Sequence, residues 1–241
     1  MPAPRLILPG LYELSLPIPL GSVNVFFILT ASGVILIDTG YPDRGAGALA
    51  GLAALGRKPE DVQHIIVTHH HIDHAGNVAT LQSRTGATVW MHPLDAELVA
   101  QGQALRSTAH SAAGWVNRLA FGVGKWLMPA TINPARVDRL VTDGAVIPVA
   151  GGLNVIHIPG HSAGQIGLYW LAQQVLFAAD AVMYRGKGLQ SPIVLEDETA
   201  AITSLARLDR YQFTTLCFGH GPVLSENAAA AFHRYVAVQA G

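Results

Sequence analysis

Residues 65–77 read IIVTHHHIDHAGN. Residues 65–68 are apolar and mostly β-branched, which predicts a buried strand. The next six residues follow the pattern H-x-H-x-D-H and supply four metal-binding side chains, namely His69, His71, Asp73 and His74. Because the chain leaves the sheet where a strand ends, a loop can turn these side chains toward one point. Imidazole and carboxylate together suit zinc, iron or manganese.

The composition favours a single folded domain over residues 1–241. Half of the residues are hydrophobic and 13% are charged, so a sizeable core can be buried. The formal net charge of -1 and the lack of a long basic run argue against nucleic acid as a partner. The single cysteine, Cys217, excludes an intramolecular disulfide, and we expect it to be a small buried core residue.

The N-terminal segment does not resemble a signal peptide. Prolines interrupt residues 1–21, where a signal peptide needs an unbroken apolar stretch. No run in the sequence reaches the roughly 18 apolar residues of a membrane span. We therefore predict a cytoplasmic protein with a small-molecule substrate and no membrane partner.

A faint two-fold repeat runs through the chain. Residues 24–40 and 165–181 each predict two strands around a short turn, and an aspartate follows closely on the second strand. The elements predicted after each hairpin are a helix and then a strand: 46–55 and 65–68 in the first half, 197–208 and 215–218 in the second. Two such halves can pack as an αββα sandwich. Chance similarity of two hairpins is the alternative.

Five motifs in register resemble those of the metallo-β-lactamase superfamily. The stretch THHHIDHAGN resembles the signature T-H-x-H-x-D-H-x-G. The other four motifs are Asp38 in VILIDTG, His161 in IPGHSAGQIGLY, Asp180 in VLFAADAV and His220 in CFGHGPV. The resemblance extends from Asp38 to His220. It implies an α/β fold, the four-layer αββα sandwich with two similar halves, and a site at one edge where the strand ends of both halves meet.

The resemblance also implies a dinuclear metal site, with zinc favoured and iron or manganese as alternatives. The implied ligands are His69, His71 and His161 for the first metal, Asp73, His74 and His220 for the second, and Asp180 as a bridge. The counterpart of Asp38 orients the metal-binding loop through hydrogen bonds and does not bind metal. The alternative for Asp38 is a turn or helix N-cap residue.

The reaction implied by the resemblance is hydrolysis of an activated carbonyl. A metal-bound hydroxide would attack a lactone, a thioester or an ester, with Asp73 or Asp180 helping to move the proton. The presence of His74 and the lack of a suitable cysteine differ from the commonest β-lactamases and favour a glyoxalase II-like or lactonase-like hydrolase. The alternatives are a mononuclear iron persulfide dioxygenase, a β-lactamase-like enzyme of another substrate class, or a non-catalytic metal-binding protein.

Two features are candidates for substrate contacts. Tyr184 follows Asp180 by four residues, whereas some lactonases of the superfamily carry a carbonyl-polarising tyrosine three residues after this aspartate. A packing role is the alternative. The apolar segment 101–134 includes Trp115 and Trp126, and we expect it to line the substrate mouth. A homodimer contact or core packing are the alternatives for this segment.

Overall fold

The chain divides into two compact units in its computed structural model, which describes residues 2–19, 21–111, 115–127, 129–186 and 188–239. The first unit consists of Met1–Leu105 and Leu127–Leu140, and the second of Arg106–Trp126 and Val141–Gly241. Each unit has a β-sheet and a hydrophobic core of its own.

Strands and helices alternate along most of the chain. The strands of the described residues are β1 (Arg5–Leu8), β2 (Leu11–Ile18), β3 (Gly21–Thr30), β4 (Gly33–Ile37), β5 (Val62–Ile66), β6 (Thr88–Met91), β7 (His110–Ser111), β8 (Arg139–Leu140), β9 (Val146–Ile147), β10 (Leu153–His157), β11 (Ile166–Trp170), β12 (Val175–Phe177), β13 (Met183–Tyr184), β14 (Leu189–Gln190), β15 (Val194–Leu195) and β16 (Thr215–Cys217). The α-helices are α1 (Ala46–Ala54), α2 (Ile72–Ala75), α3 (Val78–Thr85), α4 (Pro93–Ala100), α5 (Trp115–Leu127), α6 (Glu198–Leu208) and α7 (Ala228–Gln239). Across the described ranges, no helix has both the length and the apolar character that a membrane crossing requires.

The first unit is built on a seven-stranded sheet with the order β1-β2-β3-β4-β5-β6-β8. The pairs from β1 to β4 are antiparallel, and the pairs from β4 to β8 are parallel. Parallel neighbours need a crossover connection, which α1 provides between β4 and β5, and α2 with α3 between β5 and β6. The carboxyl ends of β4, β5 and β6 therefore share one edge of the sheet, and the residues that follow these strands lie close together.

Helix α1 packs against this sheet through small residues. Gly47 and Gly51 are buried, and a Cβ atom at Gly51 would lie 2.7 Å from a methyl carbon of Leu14. The sheet contributes large apolar side chains to the same core, among them Phe27 and Ile65, which are fully buried. The glycines thus allow the helix to approach the sheet closely, and the burial of these apolar side chains stabilises the unit.

The second unit is built on a five-stranded sheet with the order β16-β12-β11-β10-β9. The pairs from β9 to β12 are antiparallel, and β12 pairs with β16 in parallel. The core side chains come from several elements, and they include Ile156, Leu176, Leu208, Phe218 and Phe232. Because β12 and β16 are parallel neighbours, their carboxyl ends also lie at one edge.

The predicted repeat is confirmed as a succession of elements. In each unit an antiparallel strand pair precedes a helix and then a strand parallel to the second strand of the pair: β3, β4, α1 and β5 in the first, and β11, β12, α6 and β16 in the second. In the second unit the short strands β13, β14 and β15 lie between β12 and α6. The strand predicted at residues 65–68 instead spans Val62–Ile66. Beyond Ile66 the N–H of Val67 still donates to the carbonyl of Trp90 in β6, whereas the N–H of Thr68 donates to the Asp38 carboxylate.

Candidate metal centre

The four side chains of the H-x-H-x-D-H pattern lie together in the first unit. They follow β5 and enter the short helix α2, and all four residues are buried. The ring centroid of His69 lies 4.0 Å from that of His74 and 4.8 Å from that of His71. The Nε2 atom of His74 lies 3.9 Å from Oδ1 of Asp73. The turn into α2 therefore brings the predicted ligands of this segment within reach of one another.

Asp38 supports this loop from the end of β4. Its Oδ1 accepts the backbone N–H of Thr68 at 2.8 Å, and its Oδ2 lies 2.8 Å from Nδ1 of His74. A carboxylate only accepts hydrogen bonds, so Nδ1 of His74 carries the proton and Nε2 presents its lone pair to a metal ion. Asp38 has a positive φ of 62°, a backbone conformation that aspartate tolerates better than most residues.

Two buried residues that the sequence analysis did not single out complete this support. The hydroxyl of Thr39 donates to the carbonyl of His74 at 2.6 Å. The side-chain amide of Asn77 donates to the carbonyls of Thr39 and Tyr41, and its oxygen accepts the N–H of Gly45. Both residues belong to quoted motifs, VILIDTG and THHHIDHAGN, so the only signal in the sequence was their position within these motifs.

The second unit places two predicted histidine ligands beside the carboxylate of a third predicted ligand, Asp180. Oδ2 of Asp180 lies 3.1 Å from Nε2 of His220 and 3.5 Å from Nε2 of His161. The Nδ1 atom of His161 lies 2.8 Å from the carbonyl oxygen of Val194, which can only accept, so the Nε2 lone pair of His161 faces Asp180. Asp180 follows β12 and His220 follows β16, and the parallel pairing of these strands explains why they meet.

The backbone before Asp180 adopts an unusual conformation. Ala179 has a φ of 47°, in the left-handed region that favours glycine. The N–H of Asp180 donates to Oε1 of Gln165 at 3.2 Å, and the amide of Gln165 donates to the carbonyl of Ile158 at 3.3 Å. Gln165 is fully buried and thereby connects the segment around His161 to Asp180, a role that the sequence did not reveal.

Tyr184 lies beside the His220 loop in the second unit. Its backbone N–H donates to the carbonyl of His220 at 3.3 Å. Its ring is half-buried and stacks on Phe218 with a centroid distance of 6.2 Å. These contacts describe packing of the ring, and a contact of its hydroxyl with substrate stays a prediction.

The two tryptophans of segment 101–134 lie on the outside of α5. Trp115 is 77% exposed and Trp126 is 84% exposed, and Leu119 between them is 62% exposed. A residue of a substrate pocket is ordinarily shielded from water on several sides. The proposed role of these tryptophans in the substrate mouth therefore stays a prediction. Met128, the last apolar residue of the same stretch, lies outside the described residues.

The nitrogen and oxygen atoms of the predicted ligands suit a transition-metal ion that is borderline or hard in its ligand preference. The predicted ligands are imidazole nitrogens and carboxylate oxygens, which suit zinc, iron and manganese. Cys217 is fully buried in β16, as expected for a core residue. In each unit, at least one histidine has its Nδ1 bound to a protein oxygen, as is usual for metal-binding histidines.

Residues 18–220 match the sequence model of the metallo-β-lactamase superfamily, and the chain belongs to this superfamily. A hydroxyacylglutathione hydrolase from Fuscovulum blasticum is 29% identical over 208 residues, which are 85% of this chain and 65% of that protein. An acyl-coenzyme A thioesterase from Gallus gallus is 28% identical over 175 residues, which are 66% of this chain and 57% of that protein. The chain thus spans less than two thirds of the length of these relatives.

A solved structure agrees with the family assignment. A metallo-β-lactamase family protein from Thermus thermophilus is similar to this chain with a TM-score of 0.73 and 27% sequence identity. The similarity covers 98% of this chain and 81% of the other chain. The predicted α/β fold of the metallo-β-lactamase type is therefore confirmed.

Proposed function

We propose that this protein is a metal-dependent hydrolase that acts on an activated carbonyl, with a thioester as the leading substrate class and a lactone or a simple ester as alternatives. The observation that carries the proposal is the arrangement of Asp180 between the Nε2 atoms of His161 and His220. Relatives named as an acyl-coenzyme A thioesterase and a hydroxyacylglutathione hydrolase support the choice of an acyl substrate.

The proposal includes a dinuclear site within one domain of residues 1–241. Its ligands are His69, His71, His161, Asp73, His74, His220 and the bridging Asp180. Zinc is favoured because it suits a set of imidazole and carboxylate ligands. When bound, two such ions polarise a carbonyl and lower the pKa of a water molecule to about 7. The cytoplasmic location and a homodimer stay predictions.

The protein residues supply orientation and proton transfer. Asp38 holds His74 with Nε2 available, and the carbonyl of Val194 does the same for His161. Asp73 and Asp180 are both buried carboxylates, and either one can accept the proton that an attacking water loses. The half-buried Tyr184, whose N–H donates to the His220 carbonyl, is the proposed contact for the substrate carbonyl.

Charge favours carbonyl substrates over phosphodiesters. The chain has 15 lysine and arginine residues against 16 aspartate and glutamate residues, and its sequence has no long basic run. A phosphodiester carries a negative charge that enzymes ordinarily bind with arginine, lysine or additional metal. The reacting carbonyl of a thioester or a lactone is uncharged and needs no such cation, so the composition fits the proposed reaction.

The test is a hydrolysis panel with zinc-loaded protein. The substrates are a thioester, a lactone, a carboxylate ester, a β-lactam and a phosphodiester. We expect the highest kcat/KM for the thioester or the lactone, and its loss in Asp180→Ala. The matched control is Asp209→Asn. The Asp209 carboxylate contacts His233 outside the proposed site, so this variant should be as active as wild type.

Three results would contradict parts of the proposed function. Phosphodiester turnover above that of every carbonyl substrate would contradict the substrate class. One iron per chain, with oxygen consumed in the presence of a persulfide, would identify the dioxygenase. Near-wild-type hydrolysis by Asp180→Ala with full metal content would show that Asp180 is only a strand-end residue.

A further inference from the structure

The histidine between the first two predicted ligands has a buried carboxylate partner. His70 is fully buried, and its backbone N–H donates to Oδ2 of Asp95 at 3.1 Å. Its ring Nδ1 lies 3.0 Å from the same oxygen, which only accepts, so this nitrogen also donates. Asp95 is fully buried as well. One carboxylate thus fixes both the main chain and the side chain of His70 through charge-assisted hydrogen bonds.

The loop between β5 and α2 is held by two carboxylates at alternate residues. The N–H of Thr68 donates to Asp38, and the N–H of His70 donates to Asp95. His69 lies between these two anchored amides, and His71 directly follows the second. The two hydrogen bonds therefore restrict the backbone on both sides of His69 and immediately before His71, whose side chains are proposed ligands.

The fold places Asp95 where this contact can form. Strands β5 and β6 are parallel neighbours, so the loop after β5 and the start of α4 after β6 lie at the same sheet edge. Asp95 is in the first turn of α4, where the partial positive charge of the helix N-terminus stabilises a carboxylate. Pro93 at the start of the helix has its φ already fixed near the helical value.

A buried carboxylate such as Asp95 is an unfavourable choice if its only role is to stabilise the fold. Removing a charged group from water costs several kcal/mol, and well-packed apolar residues of similar volume often stabilise a core as well or better. Partners that orient metal ligands from behind are a recurrent use of such groups. The cost and the location of Asp95 together favour a role in the geometry of the loop.

We infer that Asp95 is a positioning residue for the metal centre, and that it acts through His70 to fix the backbone that carries His69 and His71. This inference rests on the proposed metal site. Asp95 is distinct from Asp38, because Asp38 contacts the proposed ligand His74 directly, whereas Asp95 contacts the intervening His70.

The test measures zinc affinity of the full chain by competition with a chromophoric chelator, together with the melting temperature of the metal-free protein. Asp95→Ala should weaken zinc binding by about 10- to 100-fold, the usual cost of losing a partner behind the ligands. Asp95→Asn should restore most of the affinity, because its amide oxygen still accepts hydrogen bonds from His70. The matched control is Val99→Ala, which removes buried apolar volume from the same helix and should lower the melting temperature without changing zinc affinity.

A second comparison separates positioning from a merely structural role. Because the main-chain N–H of residue 70 still donates to Asp95 in His70→Ala, Asp95→Ala should still weaken zinc binding in that background, and only the part carried by the His70 ring should be lost. Unchanged zinc affinity in Asp95→Ala, with only a lower melting temperature, would overturn the inference. If Asp95→Ala does not fold, wild-type zinc affinity in a folded Asp95→Leu variant, which cannot accept the N–H of His70, would overturn it as well. Wild-type protein that binds no zinc would instead refute the proposed metal centre itself, and this role with it.

Discussion

Replacement of Asp38 by asparagine tests how the first unit prepares His74 for a metal ion. Asp38 accepts three hydrogen bonds, from the N–H and hydroxyl of Thr68 and from Nδ1 of His74. An asparagine oxygen can still accept from Thr68, but its NH₂ group then faces Nδ1 of His74. To avoid two opposed donors, His74 must move its proton to Nε2, the nitrogen proposed to bind metal.

The magnitude follows from the loss of one charge-assisted bond at a buried site. A hydrogen bond to a charged group contributes about 1.5–3 kcal/mol, so the metal-free Asp38→Asn protein should lose free energy of unfolding in that range. Zinc affinity should fall by about 10- to 100-fold in addition, because the favoured tautomer of His74 is the wrong one.

The assay pairs urea denaturation of the metal-free protein with zinc titration against a chelator. The matched control is Asp43→Asn, since Asp43 accepts the N–H of Gly47 in the first turn of α1 and has no proposed link to the metal. The control should keep wild-type zinc affinity. Equal zinc affinity in wild type and Asp38→Asn would refute the reasoning, even if the variant were less stable.

Three further predictions concern strain, pH and the apolar helix. Ala179→Gly should lower the free energy of unfolding by about 1–2 kcal/mol less than Ala48→Gly in α1 does, because only Ala179 has a positive φ. Equal losses by urea denaturation would contradict backbone strain at Ala179. Burial lowers the pKa of His64, whose Nδ1 accepts a bond from Trp90, so the protonated form is disfavoured on folding. Stability should therefore fall as pH drops below about 6.5, and less steeply in His64→Gln; parallel pH profiles would contradict this. If Trp126 lines the substrate mouth, Trp126→Ala should raise KM more for a long-chain thioester than for a short one, and equal changes would exclude that role.

Local sequence patterns were sufficient for the strands and helices of the repeat and for the four candidate ligands of the H-x-H-x-D-H segment, whereas the other three ligands came from the resemblance to the superfamily. The β-branched run before His69 predicted a strand, and the H-x-H-x-D-H spacing indicated a metal-binding loop, because both signals involve neighbouring residues. Even the approximate repeat of strands and helices followed from periodicity and turn residues. The exact bounds of β5 did not, since they depend on its pairing with β4 and β6, which are distant in the sequence.

Contacts between distant segments were beyond local patterns. The bond from His70 to Asp95 joins residues 25 positions apart, and Gln165 contacts Asp180 across 15 positions. These pairs meet because of the strand order in each sheet, which a single sequence does not specify. The positive φ of Ala179 was similarly hidden, because alanine rarely adopts that conformation and its presence gives no local signal.

The most direct test of the account is the metal content of the purified, zinc-reconstituted protein, measured by mass spectrometry of the elements after removal of free metal. The account predicts about two zinc ions per chain, as in dinuclear hydrolytic sites. Asp180→Ala should retain less metal, because the proposed bridge is lost. Protein that retains no metal, or a single iron with no uptake of zinc, would contradict the central claim of a dinuclear hydrolytic site.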